Sequence, residues 1–512
     1  NEIVGFHYRW MRETPTPQPK SIDWARLNRI IEKVADEIAS HFDNTPFNLS
    51  SFLKKKRGRI GQRYKRAVQS VLKDGFDYYK DSKISLFVKN EAYLLEEDTV
   101  KKPRCIMGRD PKFNLFYAAY VEKFEEALGC CRGVTCCMDH QDVGRTFRDM
   151  QDYECMVKGD DNVIKFPWGY IEGDATSYES SQRLIALAIE YNGMWRVFDK
   201  CNYGNLEDFE KLFCVKTLKR GESLNGLKFE FEFCRGSGDL DTTCGNTFIN
   251  KVTTEYFSET NIGRGPNELI NTYAYFGIDA KLECRFDYHD VGYCSGKFIK
   301  INHVDFMYVQ DLNKLLRRIQ LVLNDDFLEH VDTYYYSLGY MYSVLYANIP
   351  IYKELASYLM TAKRGKSYVE TAALESHYGA HNAFIWHKKR ADPVYQDQHS
   401  LLQGRDILTD FSPERNEGLI LSELMLAFDM GMPYINALQN LFSQPLYIAP
   451  QFCKHFKPKR GCKVDPDDVN LIAAYVLPAN LPHRYQTFKK QYATAKYKFR
   501  VFLSTEEDVV VR

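Results

Sequence analysis

Three carboxylates stand where they could hold divalent metal. Gly159-Asp160-Asp161 joins two short β-prone runs in YECMVKGDDNVIKF and reads as the tip of a hairpin. Asp174 ends the next strand-like run, YIEGDATSYE. Phosphoryl transfer through two metal ions needs acidic ligands converging on a pair of Mg²⁺ roughly 3.5–4 Å apart. A strand end beside a hairpin tip would bring these oxygens together. Alone the tripeptide says little, because Asp and Gly are ordinary turn residues.

A second set of polar residues gives it weight. Glu179 follows Asp174 in DATSYE, and Ser237-Gly238 is followed by Thr242 and Asn246. A flexible Ser-Gly pair entering a helix allows a loop to shift. Thr242 and Asn246 lie one helical turn apart and so share a face. They could read a ribose 2′-hydroxyl, the group that separates RNA from DNA. The competing reading is a helix cap with incidental polar neighbours.

Basic residues cluster upstream. Between Ser51 and Tyr120 there are 17 Lys/Arg against 8 Asp/Glu, a net of +9, although the whole chain carries 68 of each sign. The densest part, Lys54 to Arg66, contains Lys54, Lys55, Lys56, Arg57 and Arg59. Such a local excess suits phosphate contacts, whose affinity comes largely from counterion release; a solvated helix face is the alternative. A further cluster, CCRGVTCCMDH, holds Cys130, Cys131, Cys136, Cys137 and His140. Thiols with a nearby His offer zinc-ligand chemistry, but the adjacent pairs lack the usual spacing within a pair, which favours buried packing. Gly263–Glu268 (GRGPNE) lacks the Lys-Ser/Thr ending of a phosphate loop and reads as a linker.

The elements that must position these groups form a mixed α+β pattern. Helices are expected at Trp24–Phe42 with Ser21 as cap, Leu115–Leu128, Asp142–Met150 and Ser180–Phe198. Strands are expected at Ser85–Glu91, on both sides of the Gly-Asp-Asp turn, and at Lys228–Cys234. GIDAKLE, VGYCSGKFIKI and DFMYVQD follow as strands. From about Leu312 the pattern is mainly helical and rich in Tyr.

The 512 residues, 45% hydrophobic and 14% aromatic, suffice for several buried cores and exclude a disordered chain. No apolar run reaches the ~18 residues of a membrane span, and the charged N-terminus is not a signal peptide. The chain begins at Asn1 rather than Met, which fits a processed product or a trimmed piece. Fourteen cysteines without secretory framework spacing favour a reducing, intracellular setting.

Taken together, the motifs resemble those of the RNA-dependent RNA polymerases of positive-strand RNA viruses, in wording most like the tombusvirus-like group. DATSYE is similar to polymerase motif A, SGDLDTTCGN to motif B and KGDDNV to motif C. FGIDAKLE is similar to motif D, VGYCSGKFIKI to motif E, and FVKNEAYLLEEDTVKKPRCIMGRDPKFN to the fingers motif F. The resemblance covers about Lys54 to Asp311. The order differs: the Gly-Asp-Asp motif comes before motif A. No aspartate lies between Asn246 and Gly277, and Asp325-Asp326 falls in a helical pattern, read as a solvated face. The order C-A-B-D-E is similar to that of permutotetraviruses and birnaviruses. A hairpin can join neighbouring strands through different loops without moving its tip.

The resemblance implies a right-hand fold: N-terminal extension and fingers over 1–152, palm over 153–180 and 230–305, and a fingers insertion over 181–229. A helical thumb and C-terminal region would fill 306–512. It implies two Mg²⁺ ions, with Mn²⁺ as substitute, held by Asp160 and Asp174 with Asp161 assisting. These would lower the pKa of a 3′-hydroxyl and stabilise pyrophosphate. Glu179, where the family usually has Asp, would help Asn246 recognise ribose beside Ser237 and Thr242, and Gly238 would lie on the template side. Lys281 is a candidate general acid. Lys89, Lys101, Lys102, Arg104 and Arg109 would line the route of incoming nucleotides, with Arg104 as the triphosphate clamp. The Lys54–Arg66 run would face template RNA. Implied partners are template and product RNA, nucleoside triphosphates and other viral replication proteins. The implied location is a replication complex in host cytoplasm, or the virion. A reverse transcriptase is disfavoured by the Ser237/Thr242/Asn246 set and by Glu179 in place of an aromatic gate. A catalytically silent RNA-binding replicase subunit is disfavoured by the three intact carboxylates.

Overall fold

The computed structural model describes residues 2–56, 58–89, 103–150, 155–261, 266–319, 330–362, 369, 373–374, 377–390, 413–444 and 446. Arg57, Lys101, Lys102, Asp325-Asp326 and the region after 446 lie outside these residues, as do the side chain of Arg59 and Gly263–Gly265 of the expected linker.

A four-stranded antiparallel sheet carries the candidate carboxylates. Its strands are β3 (Cys155–Lys158), β4 (Asp161–Phe166), β5 (Gly169–Ala175) and β8 (Ala280–Arg285), in spatial order β3-β4-β5-β8. Alternation along the strands assigns each side chain a face. Cys155, Val157, Ile164, Phe166 and Ile171 enter the largest core, with helices α2 (Trp24–Ser40), α5 (Pro111–Leu128), α8 (Leu184–Lys200), α9 (Leu206–Thr217) and α10 (Thr242–Asn261). Met156, Val163 and Tyr170 point the other way. They pack on Val143 and Phe147 of α6 (His140–Asp149) and on the ladder of β9 (Gly296–Lys300) with β10 (Phe306–Gln310). Both faces of β3 and β4 are thus covered.

A second sheet, β2-β1-β6-β7, is made of β1 (Ile84–Val88), β2 (Cys105–Arg109), β6 (Leu218–Ser223) and β7 (Lys228–Glu232). Helix α1 (Glu2–Trp10) lies on it through Phe6 and Trp10. Helices α3 (Leu49–Lys55) and α4 (Gly58–Asp74) bring Phe52, Tyr64 and Ala67 onto Leu115 and Ala118 of α5. The later helices, from Leu312 to Phe442, form a separate apolar cluster continuous with Ile299, Met307 and Val309. Among the described residues no single helix is long and apolar enough to cross a membrane. Asn416–Phe428 and Met432–Phe442 meet that test only as a pair, bent by 112°.

Several boundaries differ from expectation. Asp23 rather than Ser21 caps α2, accepting from Arg26 N–H at 3.0 Å. Helix α6 starts two residues before the expected Asp142, capped by Asp139, which accepts from the Gln141 and Asp142 amides. The helix expected over Ser180–Phe198 is broken at Gln182–Arg183 into α7 (Tyr178–Ser181) and α8. Gln182 there turns inward and donates to Asn246 Oδ1 at 2.7 Å.

Candidate active site

The Gly-Asp-Asp hairpin lies directly beside the strand that ends at Asp174. Lys158 pairs with Asp161 across a two-residue turn whose first position, Gly159, has φ +63°. A type II′ turn needs positive φ there, and glycine supplies it without strain. Strand β4 then pairs with β5, Asn162 opposite Gly173. Carried one residue further, that register sets Asp161 opposite Asp174, on the same sheet face. Asp160 and Asp174 line one narrow cleft with Asn162, Tyr178, Asn250 and Tyr273. On the other side of β5, Lys281 stands directly across from Asp174.

Helix α10 fastens the hairpin through two side chains on one face. Thr247 Oγ1 accepts from the Gly159 amide at 2.8 Å. Asn250 Nδ2 donates to the carbonyls of Asp161 at 3.1 Å and Gly159 at 3.4 Å. Its Oδ1 accepts from Tyr273 at 2.5 Å and from Asn162 at 3.1 Å. From the other side comes the turn before β9, where Cys294 and Ser295 both have positive φ. The Cys294 thiol donates to Asp161 Oδ2 at 3.4 Å. The sequence gives no direct sign of Thr247, Asn250 or Cys294; the i, i+3 polar spacing on α10 is the one usable signal.

The carboxylates repel one another in a partly desolvated place. Burial raises the pKa of Asp160, and the charges of Asp161, Asp174 and Glu179 raise it further. Burial and Asp174 raise Asp161, against the opposing pull of Cys294 and Lys158. Desolvation raises Asp174, while Lys281 and Arg104 act to lower it. Such hard oxygen donors, with their negative charges held close together, fit a divalent cation such as Mg²⁺ or Mn²⁺. Among the described residues no three His, Cys, Asp or Glu groups converge into a complete ion cage. Magnesium sites commonly use one or two carboxylates and take other ligands from phosphate oxygens and water.

The ribose-reading candidates come together only in part. Ser237 Oγ donates to the Glu179 carboxylate, which also binds Arg9 of α1. Gly238 has φ +109°, a conformation a side chain would strain. Thr242 is engaged in the loop itself, donating to the carbonyls of Asp239 at 2.7 Å and Gly236 at 3.0 Å. Asn246 is buried, its Oδ1 on Gln182. Gln182 in turn accepts from Arg235 Nε at 2.8 Å, and Arg235 pairs with Glu190 at 2.7 Å.

Of the basic residues, Arg109 departs from expectation. It is buried and pairs with Asp239 at 2.7 Å, while donating to the carbonyls of Ser82 at 2.9 Å and Lys216 at 3.0 Å. Its planar fork is consumed in holding the loop that carries Ser237. Lys89 and Arg104 are exposed, joined by a main-chain bond at 2.7 Å, and the Arg104 charge reaches Asp174. Lys54 is exposed, Lys55 pairs with Glu122 at 3.2 Å, and Lys56 packs over the Phe52 ring. The cysteine-rich segment is packed inward. Cys131 and Cys136 belong to the main core, and Cys136 bonds Thr247 at 3.1 Å. His140 lies against the rings of Tyr308 and Tyr346, its pKa pushed down to about 3 by burial.

No family model matches the chain. It is similar to the RNA-directed RNA polymerase of Groundnut rosette virus (strain MC1), 26% identical over 229 residues, 42% of this chain and 25% of that protein. It is also similar to that of Tobacco necrosis virus (strain D), 25% identical over 249 residues, 47% of this chain and 32% of the relative. For Melon necrotic spot virus the figures are 23% over 300 residues, 53% and 36%. The chain thus spans about a quarter to a third of the length of these curated relatives. Over about half its own length, it is a distant relative of viral RNA-directed RNA polymerases.

Proposed function

We propose that the chain is an RNA-directed RNA polymerase that adds nucleotides to a 3′-hydroxyl on an RNA template and releases pyrophosphate. The observation that carries this reading is the adjacency of the Gly159-Asp160-Asp161 turn to Asp174 across β4 and β5. The distant similarity to viral polymerases supports it independently. Asp160 and Asp174, with Asp161, would hold the Mg²⁺ ions, which when bound supply charge neutralisation at the reacting phosphate. The protein's own part is positioning. Asn250 and Thr247 fix the hairpin, and Ser237 and Arg9 hold Glu179. Arg104 offers a guanidinium near Asp174 for a triphosphate, and Lys281 stands across from Asp174 where a proton could be delivered.

We read the sheet as a palm of permuted connectivity, in which the hairpin precedes motif A in the chain yet lies next to it in space. The β2-β1-β6-β7 sheet with α1, α3 and α4 would then be fingers, and the helices after Leu312 the thumb. Template and product RNA and nucleoside triphosphates would be the partners, and a replication complex in host cytoplasm the place of action. The test is nucleotide incorporation by the purified chain on an RNA template with Mg²⁺. Asp160→Ala and Asp174→Ala should each abolish it, by at least ~10³-fold if the carboxylates act on the transition state. Incorporation that survives both substitutions would refute the assignment.

A further inference from the structure

The N-terminal helix reaches Glu179, 170 residues away in sequence. Arg9 Nη1 binds Glu179 Oε1, the same oxygen that accepts from Ser237 Oγ. Both charged side chains are largely covered, Arg9 20% and Glu179 11% exposed, so water screens the pair only in part. The helix itself is well anchored. Trp10 is buried and donates from Nε1 to the Arg235 carbonyl at 2.9 Å, and Phe6 packs on Phe229 of β7. Two residues further, Arg12 pairs with Asp279 at 3.0 Å and touches Ser177 at 3.4 Å.

The main chain at Glu179 does not depend on Arg9. Its carbonyl accepts from the Cys234 thiol at 2.9 Å and from the Arg235 amide at 3.3 Å. What Arg9 decides is therefore the direction of the carboxylate. A glutamate has one more rotatable bond than an aspartate and loses more freedom when fixed. A charge-assisted bond from one side and a hydroxyl from the other narrows that freedom.

Resting on the polymerase reading above, we propose that Arg9 is a positioning residue for sugar selection. With Ser237 it aims Glu179 so that the carboxylate meets the 2′-hydroxyl of the incoming nucleotide. A site built to bond a hydroxyl discriminates against the analogue lacking it, because its own polar group is then left without a partner. Freeing Glu179 removes that discrimination while leaving the carboxylates on β4 and β5 in place.

The experiment compares kcat/KM for a nucleoside triphosphate and its 2′-deoxy analogue on one RNA template, using the full chain. Arg9→Gln should lower the ratio of the two about tenfold, chiefly through KM of the ribonucleotide. Arg9→Lys, which keeps the charge, should recover part of the ratio. Arg12→Ala, which breaks the neighbouring contact to Asp279 without touching Glu179, should leave it unchanged. An unaltered ratio in Arg9→Gln overturns the proposal, as does an equal loss in Arg12→Ala, which would mark a loosened helix rather than an aimed carboxylate. Thermal unfolding checks that each variant folds. If Arg9→Gln does not fold, Arg9→Lys decides alone, and a ratio equal to that of the unaltered chain overturns the proposal. Failure of the unaltered chain to incorporate any nucleotide would instead refute the polymerase reading.

Discussion

Asn250→Ala should loosen the Gly-Asp-Asp hairpin without removing a reacting group. The substitution deletes two donations to the hairpin carbonyls, one at 3.1 Å to Asp161 and a weaker one at 3.4 Å to Gly159. It also deletes the acceptor for Tyr273 at 2.5 Å and for Asn162 at 3.1 Å, although those two remain bonded to each other. At about 1 kcal/mol for each good bond, with the long contact discounted, the loss is roughly 2–3 kcal/mol of stability. The Asp161 carbonyl is main chain of a metal-ligand candidate, so part of that loss should be felt in the transition state. If about 1.4 kcal/mol is, incorporation slows about tenfold. Single-nucleotide incorporation at saturating triphosphate gives kcat, and thermal unfolding gives the stability term. We expect both to fall, with KM for the nucleotide little changed. A lower unfolding temperature with kcat intact within twofold would refute the reasoning: the hairpin would then hold its place without α10.

Other consequences follow from the ion pairs beneath the Ser237–Gly238 loop. Arg109→Ala strips the main cation from buried Asp239 and should cost about 3–5 kcal/mol, read by urea unfolding; normal stability with a raised nucleotide KM would restore Arg109 to the nucleotide route. Acid should weaken the same network. Burial alone would raise Asp239 and Asp241, but Arg109 and Lys219 hold the first, and Lys216 and Arg235 the second, below the usual carboxylate range. A depressed folded pKa stabilises above the unfolded value of about 3.9, and that stability is lost as pH falls through the folded value. Stability measured by urea unfolding should therefore fall below about pH 4, and Asp241→Asn should start less stable at neutral pH and lose less on acidification; parallel acid limbs would contradict this. The cysteine-rich segment should carry no zinc, since Cys131, Cys136 and Cys137 bond Ala127 O, Thr247 and Glu125 O. One tightly held zinc per chain by elemental analysis would overturn that.

The hairpin and the strand to Asp174 were legible because local signals agree there: β-prone runs, a glycine where positive φ is needed, and apolar alternation. The same holds for α10, announced by its Gly-rich approach. The burial of Arg109 was not legible, for a physical reason. Local charge reports how many cations a segment has, not which are drawn inside by an acid 130 residues away. Asp239 and Asp241, just before the start of α10, were the available hint, since buried carboxylates require cations. Arg9 on Glu179 was invisible for the same reason, as was the break at Gln182, which follows from an inward bond to Asn246 rather than from helix propensity. The cap of α2 slipped by two residues because Ser21 and Asp23 are both capping types.

The most direct measurement is anomalous diffraction from crystals of the full chain with Mn²⁺ and a nucleoside triphosphate. If the displaced hairpin and β5 form one catalytic centre, a Mn²⁺ ion should be shared by the carboxylates of Asp160 and Asp174. An ion held by either one alone, or none between them, would contradict it.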